Sequence, residues 1–492
     1  MKRDLTQGKI TSSLLLFALP MTAGNLLQQF YNIADTLIVG RVLGRDALAA
    51  VGSAYTLMVF LTSVLIGLCM GSGVSFSISF GAKDSDKLKS GIFHSFTLIS
   101  ALTLLLTILA FLGTDCIMNL LNVPSEVLPP MRQYLKIIFL GIPAVFVYNF
   151  FTALLRSIGN SASPLIFLAV SSILNVVLDI LFVVFLPFGV RGAAAATVLA
   201  QIVSAAGIAV YALKRFPELM PSRKQMRWQR SVAAEISGFS VLTCLQQSVM
   251  NLGILMVQGI VNSFGPVVMA AFAAAVKIDS FAYMPVQDFG NAFSTFAAQN
   301  YGAKKEDRIR KGIRSAVTVT ALFSLLVSAL VFLFAAPLMG LFVQQTETEI
   351  IAAGVSYLRI EGAFYLLIGI LFLWYGFYRA VEKPSMSLIL TVISLGTRVV
   401  LAYTLSAVPS VGVTGIWASV PIGWFLADLA GLLYYLRFRK KKTLLHHKSE
   451  QRCRRLFLVG NCRRVKYKSG CRFFSHRLLP TLFYDRGIRD RR

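Results

Sequence analysis

Residues 163–186 read SPLIFLAVSSILNVVLDILFVVFL, an apolar run that is long enough to cross a lipid bilayer as one α-helix. No segment of the sequence alternates apolar and polar residues over ten positions, which excludes the strands of a membrane β-barrel. The sequence therefore predicts an all-α polytopic membrane protein with twelve transmembrane helices. The other eleven apolar runs lie at about residues 13–38, 51–79, 91–113, 132–155, 191–213, 232–260, 267–298, 313–336, 353–378, 385–407 and 411–436.

The composition agrees with this prediction. Of the 492 residues, 56% are hydrophobic and 14% are charged, and the mean hydropathy is +0.69. A soluble domain is about 45–50% apolar and about 25% charged, so these values exclude a secreted disulfide scaffold, a disordered chain and an ordinary soluble enzyme. The sequence also lacks the Walker A, G-x-S-x-G and H-E-x-x-H motifs. We therefore predict that the protein is not an enzyme and has no catalytic residues.

The net charge of +26 is spread over short connections and a basic C-terminal segment. If the N-terminus is cytoplasmic, the inside connections up to residue 450 hold 27 Lys and Arg residues, and the outside connections hold 6. This asymmetry follows the positive-inside rule, and it predicts that both termini are cytoplasmic. A groove for nucleic acid needs one contiguous basic surface, so we expect the lipid bilayer and no nucleic acid as a partner.

An internal repeat divides the sequence into two parts. Phe80-Gly81-Ala82-Lys83 recurs as Tyr301-Gly302-Ala303-Lys304 with a shift of 221 residues, and Arg156 recurs as Arg379 with a shift of 223. Each part contains six of the predicted helices. Because six is an even number, both parts have the same orientation, and a pseudo-two-fold axis along the membrane normal relates them.

The repeat sets the predicted domain boundaries. We call residues 1–213 the first half and residues 232–440 the second half, and we expect each to form a six-helix lobe. Residues 214–231 are basic and polar, and they are predicted to form a cytoplasmic linker. Residues 441–492 lack the long apolar runs of the rest of the sequence, and we predict that they form a basic, disordered tail.

Polar side chains interrupt three helices of the first half. Residues three, four or seven apart share one helical face. A charge within hydrocarbon costs at least ~2.5–3.5 kcal/mol on insertion scales, so such a face lines a cavity or another helix rather than lipid. The shared faces contain Gln28, Tyr31, Asn32 and Asp35 on helix 1, Asn175 and Asp179 on helix 5, and Thr197 and Gln201 on helix 6.

These residue types indicate a cation site. Carboxylate, amide and hydroxyl oxygens suit a hard monovalent cation, and a desolvated carboxylate equally suits a proton. The alternatives are a seam of hydrogen bonds between helices and an ion pair of Asp179 with Lys or Arg. The second alternative is weakened because the basic residues within the six helices predicted for the first half, Arg132, Lys136 and Arg191, lie near the outside ends of those helices.

The second half carries a different set of ionisable residues. Lys277 and Asp288 project from the same side of helix 8, although three turns separate them. The repeat places Arg398 at the position of Asn175, so the acidic constellation occurs once. For the substrate cavity we predict Gln28, Tyr31, Asn32, Gln201, Tyr283, Met284, Asp288 and Arg398.

The order of these motifs resembles that of a bacterial MATE (multidrug and toxic compound extrusion) transporter over about residues 8–440. The resemblance rests on Leu19-Pro20, Asn32-x-x-Asp35, Val39-Gly40, Phe80-Gly81-Ala82-Lys83, Arg156-Ser157-x-Gly159-Asn160, Asn175-x-x-x-Asp179, Gly189-Val190-x-Gly192-Ala193-Ala194 and Gln299-Asn300-Tyr301-Gly302-Ala303. It implies two lobes around a central cavity, and a chain that acts as a monomer in the bacterial cytoplasmic membrane.

The resemblance also implies a function. Members of the family export organic, often cationic, compounds in exchange for Na+ or H+ by alternating access. The coupling site then corresponds to Asp35, Asn175, Asp179 and Thr197, with no cofactor and no metal other than Na+ at these four residues. Helix 1 is expected to bend at Pro20. Two other functions remain open, namely a lipid-linked oligosaccharide flippase of the same superfamily and an ion channel.

Overall fold

The computed structural model describes residues 4–120 and 127–458. Within these ranges the chain is helical apart from short connections and contains no β-strand. The described helices are α1 (Ile10–Leu43), α2 (Arg45–Gly81), α3 (Ser85–Leu112), α4 (Thr114–Leu120), α5 (Leu128–Ile138), α6 (Ile142–Ser157), α7 (Ala162–Asp179), α8 (Val190–Arg215), α9 (Arg230–Asn262), α10 (Pro266–Gly302), α11 (Glu306–Met339), α12 (Thr348–Gly362), α13 (Tyr365–Ala380), α14 (Pro384–Ser406) and α15 (Val413–Leu458).

Eleven stretches of helix in the described residues are long and apolar enough to cross a membrane, and α12 with α13 forms a twelfth, broken span. This agrees with the predicted twelve. The prediction of one continuous helix over 353–378 is wrong, because α12 and α13 meet at an angle of 52°. Gly362 ends α12, and Phe364 has φ −118° and ψ 18°, outside the helical range.

Two other spans depart from regular α-helix near polar residues. A 3-10 turn at Phe139–Gly141 joins α5 to α6, and a π-helical turn at Ile180–Phe185 follows α7. Such turns change the direction in which the neighbouring side chains point, and they are frequent at functional sites. By contrast, α1 is one continuous helix that contains Pro20, and the bend expected at this residue stays a prediction.

Backbone conformation repeats at the positions that the sequence repeat relates. Lys83 and Lys304 both have positive φ, at 58° and 57°. Gly159 and Glu382, which the shift of 223 relates, also both have positive φ, at 82° and 60°. Since L-residues other than glycine rarely adopt positive φ, its recurrence at Lys83 and Lys304 is strong evidence that both halves fold alike.

Buried apolar side chains form one cluster within residues 39–219 and another within residues 257–417. In the second cluster, the Trp417 ring stacks on Phe272 with centroids 5.5 Å apart, and its edge meets Tyr357 at 5.0 Å. Each half therefore has a hydrophobic core of its own.

By its contacts the chain divides into a unit of residues 1–429 and a unit of residues 430–492. The described part of the second unit is the end of α15, which continues to Leu458. Residues 441–458, for which we predicted disorder, are therefore helical, because Lys, Leu, Glu, Gln and Arg are strong helix formers. The remainder of the predicted tail lies outside the described residues.

The connections rich in Lys and Arg meet at one end of the first unit, which we call the basic end. A cavity of about 600 Å³ lies there between Asp4, Lys83 and Glu218. At the same end, Gly81 packs on the backbone oxygen of Gln299, and Gly302 packs on that of Ile78. A Cβ atom at either glycine would overlap that oxygen, so only glycine allows α2 and α10 to approach so closely.

Further contacts join the two halves near this end. The Ser72 and Ser240 hydroxyls lie 2.8 Å apart between α2 and α9, and those of Thr11 and Ser315 lie 2.7 Å apart between α1 and α11. Gln299 Nε2 also donates to the backbone oxygen of Ser157 at 2.7 Å. The basic end is thus closed in this structure.

The segment that precedes α1 is bound to the second half at the basic end. Leu5 is buried, its N–H donates to Gln299 Oε1 at 3.1 Å, and its carbonyl accepts from Asn300 Nδ2 at 3.2 Å. Lys305 Nζ donates to the Thr6 carbonyl at 2.8 Å. The Arg308 guanidinium donates to the carbonyls of Leu5, Gln7 and Gly8. These contacts fix the segment to α10 and α11.

Candidate functional site

Two carboxyl groups meet between α1 and the C-terminal end of α7. The carboxyl groups of Asp35 and Asp179 lie close enough for the two side chains to share a proton. Asp179 is fully buried, Asp35 is half-buried, and Oδ1 of each is a buried oxygen with no partner among the described protein atoms. Two carboxyl groups form a hydrogen bond to each other only when one of them is protonated, because a carboxylate can only accept. The pair is therefore able to hold one proton between its two side chains.

An amide and a hydroxyl extend the pair. Asn175 is buried one turn before Asp179; its Nδ2 donates to Asp179 Oδ2 at 3.3 Å, and its Oδ1 accepts from the Thr197 backbone N–H at 3.3 Å. We adopt this amide orientation because it gives both amide atoms a partner, whereas the opposite one gives a single bond to Thr197 Oγ1. Thr197 Oγ1 donates to the Ala193 carbonyl at 3.1 Å, so its oxygen can still accept a hydrogen bond or coordinate a cation.

The four predicted coupling residues therefore lie in one cluster, which we call the acidic cluster, formed by α1, α7 and α8. Two tyrosines, Tyr31 on α1 and Tyr134 on α5, lie close enough to both carboxyls to act on them electrostatically. Tyr134 is not among the predicted site residues. A buried aromatic side chain on the amphipathic α5 looks like an ordinary core residue, so the sequence carries no signal for it.

The charge of the acidic cluster is not balanced by a neighbouring base. In the described part of the chain, neither Asp35 nor Asp179 forms an ion pair with Lys or Arg. The same residues contain no group of three or more His, Cys, Asp or Glu side chains that could hold a metal ion. The donor set is therefore two carboxyls with neutral oxygen groups, which suits a proton or an alkali cation.

The polar residues predicted for the cavity in the first half flank this cluster. Gln28 hydrogen-bonds to Tyr31, and Asn32 Nδ2 donates to Gln29 Oε1 at 3.4 Å. Gln201 lies one turn after Thr197, and its Oε1 packs against Gly141. These residues continue the polar face of α1 and α8 away from the carboxyl pair.

A second acidic pair lies within the second half. Asp279 on α10 lies beside the Tyr365 hydroxyl, and Glu361 at the end of α12 lies beside the Tyr357 hydroxyl. Arg398 on α14 acts electrostatically on both acids. This pair therefore has a built-in positive charge, unlike the acidic cluster of the first half. Since the repeat relates Arg398 to Asn175, an arginine stands where the first half has an amide.

The structure separates the four cavity residues that we predicted in the second half. Arg398 belongs to the Asp279–Glu361 pair, and Tyr283 lies beside Asp279 and stacks on Phe372 with centroids 6.4 Å apart. Met284 and Asp288 instead face α1 of the first half. Gln29 Nε2 donates to the Met284 sulfur at 3.4 Å, and Asn25 Nδ2 donates to Asp288 Oδ1 at 2.6 Å.

Lys277 and Asp288 project from one side of α10 as expected, but they have different surroundings. Lys277 is exposed, whereas Asp288 is 3% exposed and bonded to Asn25. Their separation of three turns along a continuous helix keeps them apart. Sequence analysis did not select Asn25 as a site residue, although it lies close to the polar face of helix 1.

Comparisons with known proteins identify the family to which this fold belongs. The family model MatE matches residues 20–181 and 241–404. The probable multidrug resistance protein YpnP of Bacillus subtilis is 30% identical over 445 residues, which cover 90% of this chain and 98% of the relative. The chain belongs to the MATE family.

Other MATE proteins extend the similarity to the whole fold. The probable multidrug resistance protein NorM of Thermotoga maritima is 26% identical over 90% of this chain and 96% of its own. A solved outward-facing structure of a multidrug resistance MATE family transporter of the MOP superfamily is 25% identical and has a TM-score of 0.83, covering 89% of this chain and 97% of its own. Membership of the MATE family makes the protein a multi-pass membrane transporter of small compounds rather than an enzyme.

Proposed function

We propose that this MATE transporter exports organic, often cationic, compounds in exchange for H+ or Na+ by alternating access. The observation that carries the proposal is the close approach of the Asp35 and Asp179 carboxyls, which form no ion pair with Lys or Arg in the described residues. When both are ionised, two negative charges lie side by side at a site where Asp179 is fully buried. Such a site favours the binding of a cation, and binding a monovalent cation changes the charge of the site by one unit.

The proposed coupling ion binds to Asp35, Asn175, Asp179 and Thr197. A proton bound to one carboxyl would form a hydrogen bond to the other carboxyl directly. Na+ would instead use the carboxylate oxygens with the amide and hydroxyl oxygens of Asn175 and Thr197. In either case no other cofactor is needed, because the ion itself supplies the energy for transport.

The different chemistry of the second acidic pair supports coupling in the first half. Arg398 already compensates part of the charge of Asp279 and Glu361, so that pair has less need of an external cation. The acidic cluster has no such residue, and its charge depends on what binds. We therefore assign ion coupling to the first half.

In the proposed cycle, residues 1–213 and 232–440 move as two lobes that are joined by the linker 214–231. The Lys and Arg content of the basic end supports its placement in the cytoplasm of a bacterium, with both termini on that side of the cytoplasmic membrane. The closed basic end then corresponds to a state in which the cytoplasmic entrance is shut. We propose that the working unit is a monomer and that it binds no nucleic acid.

The substrate is proposed to bind between the lobes, beside the polar face of α1. Gln28, Tyr31, Asn32 and Gln201 supply polar contacts from the first half, and Met284 and Asp288 supply a polarizable and an acidic group from the second. Acidic and aromatic groups together favour an organic cation. A lipid-linked pyrophosphate would need several Lys or Arg side chains here, whereas Arg398 belongs to an acidic pair and Arg156 lies near the Asp288 carboxylate.

The test is ethidium efflux from cells that express the full chain, with Na+ present or absent and with or without a proton uncoupler. We expect efflux that one of these two treatments abolishes, and the effective treatment names the coupling ion. Asp35→Asn should lose the efflux while the protein remains in the membrane. Efflux that neither treatment affects would contradict antiport, and ion current without coupled efflux would indicate a channel. Protein in the membrane that exports no cationic dye would favour the flippase.

A further inference from the structure

Asp288 is a carboxylate of the second half that is covered by groups of the first half. It lies on α10, is 3% exposed, and accepts a 2.6 Å hydrogen bond from Asn25 Nδ2 of α1. Its other oxygen, Oδ2, is buried and has no partner among the described protein atoms. One side of the carboxylate is thus bound by the opposite lobe, and the other side is able to accept a further donor or a cation.

A positive charge of the first half also acts on this carboxylate. The Arg156 guanidinium, at the C-terminal end of α6, is close enough to Asp288 to interact electrostatically. Its Nε is buried without a hydrogen-bond partner, so the guanidinium is not held by another carboxylate at that atom. Asn25 and Arg156 together give Asp288 a donor and a compensating charge, and both belong to the first half.

The arrangement occurs on one side of the pseudo-two-fold axis only. The shift of 221 residues relates Asn25 to Gln246, and Asp288 to Gly67. Amides therefore occupy both related positions, but the carboxylate has a glycine as its counterpart. At Gly67 an added Cβ atom would lie 2.6 Å from Cys244 Cα, so the related contact is close backbone packing without room for an acid. The close packing of the two halves therefore does not by itself require the acid at position 288.

We propose that Asp288 is the recognition carboxylate for the organic cation and that the first half masks it whenever the basic end is closed. When the lobes separate at the basic end, the Asn25 amide and the Arg156 guanidinium move away together. The carboxylate then faces the cytoplasmic opening with an unbalanced negative charge. This inference rests on the proposed function, and it adds how affinity changes during the cycle.

The masking supplies a difference in affinity that favours export. A substrate that binds less tightly in the outward-open state than in the inward-open one is released to the outside more readily. A carboxylate that is bare in one state and bound to an amide and a guanidinium in the other provides that difference. Asn25 and Arg156 compete with the substrate cation for the same charge, so closure of the basic end itself lowers the affinity.

The first measurement is equilibrium binding of tetraphenylphosphonium, a permanent monovalent cation, to the purified full chain. Asp288→Asn should weaken binding at least tenfold and Asp288→Glu much less, because only the latter keeps the charge. Asp307→Asn is the matched control, since Asp307 is an exposed acid of the second half. Unchanged affinity in Asp288→Asn would overturn the inference while leaving the proposed function intact.

The second measurement uses Asn25→Ala, which removes the competing donor and leaves the carboxylate. We expect tetraphenylphosphonium binding at least threefold tighter than in the wild-type chain, together with slower ethidium efflux, because the outward-facing site no longer releases the cation readily. Equal or weaker binding would overturn the inference. A wild-type chain that is folded but neither binds nor exports a cation would instead overturn the proposed function, and this inference with it.

Discussion

The carboxyl groups of Asp35 and Asp179 lie side by side across the contact between α1 and α7, so a cation that binds one of them also acts on the other. A bound or released cation therefore changes the force between two helices as well as the local charge. α1 also contacts α10 of the second half through Asn25, which gives the acidic cluster a mechanical connection to the other lobe.

Replacing either acid of the pair should stop coupled transport. We expect Asp35→Asn and Asp179→Asn each to reduce ethidium efflux at least tenfold. The double variant should be no worse than the single variants, because both residues act through one shared ion. The measurement is initial efflux rate, normalised to protein in the membrane, beside Asp307→Asn. Losses that multiply in the double variant would show that the two carboxyls act independently.

Arg398 should matter for stability more than for coupling. Arg398→Leu leaves Asp279 and Glu361 without their positive neighbour, so we expect the midpoint of thermal unfolding in detergent to fall by several degrees. Adding Glu361→Gln should recover most of that loss, because it removes one of the uncompensated acids. A double variant less stable than Arg398→Leu alone would contradict the charge balance that we assign to this group.

The close approach of α2 and α10 should make Gly81 intolerant of a side chain. Gly81→Ala places a methyl group against the Gln299 carbonyl, so we expect a lower unfolding midpoint and slower efflux. Gly238→Ala is the control, because nothing lies within 4 Å of the Cβ position there and alanine favours a helix. Equal stability of the two variants would mean that the helices separate at no cost.

The segment before α1 should be held by Arg308. We expect Arg308→Ala to speed hydrogen exchange of the backbone amides at residues 5–9, because three carbonyls of this segment lose their donor. Arg310→Ala, which changes an exposed arginine two residues further along α11, should leave that exchange unchanged. Mass spectrometry of the N-terminal peptide provides the measurement. Identical exchange in both variants would show that Gln299 and Asn300 alone fix the segment.

Helical periodicity identified the polar faces that form the acidic cluster, and the family resemblance assigned Asp35, Asn175, Asp179 and Thr197 to one coupling site. Asn175 and Asp179 share a face because they are four residues apart, and a buried charge cannot face lipid, so a partner helix had to bring further oxygen atoms. The twelve spans followed from the length of the apolar runs in the same way. These inferences depend on spacing within one helix, which a sequence displays directly.

Contacts between helices were beyond that reasoning. The sequence paired Asp288 only with Lys277, because both are on one helix, whereas the bond goes to Asn25 of the other half. Tyr134 reaches the acidic cluster from a helix whose pattern is that of ordinary core packing. The break between α12 and α13 depends on a single glycine and its neighbours, and helix propensity is too weak to locate it within an apolar run.

The contact at the basic end also bears on how such a molecule arises. Gly81 packs on Gln299, and Gly302 packs on Ile78. The shift of 221 relates Gly81 to Gly302 and Ile78 to Gln299, so each contact is the counterpart of the other. This reciprocity is what an isologous interface between two identical subunits requires. A single six-helix chain with the same motif could therefore form this contact with a second copy of itself. Duplication and fusion of its gene would then give a chain whose two halves already pack together.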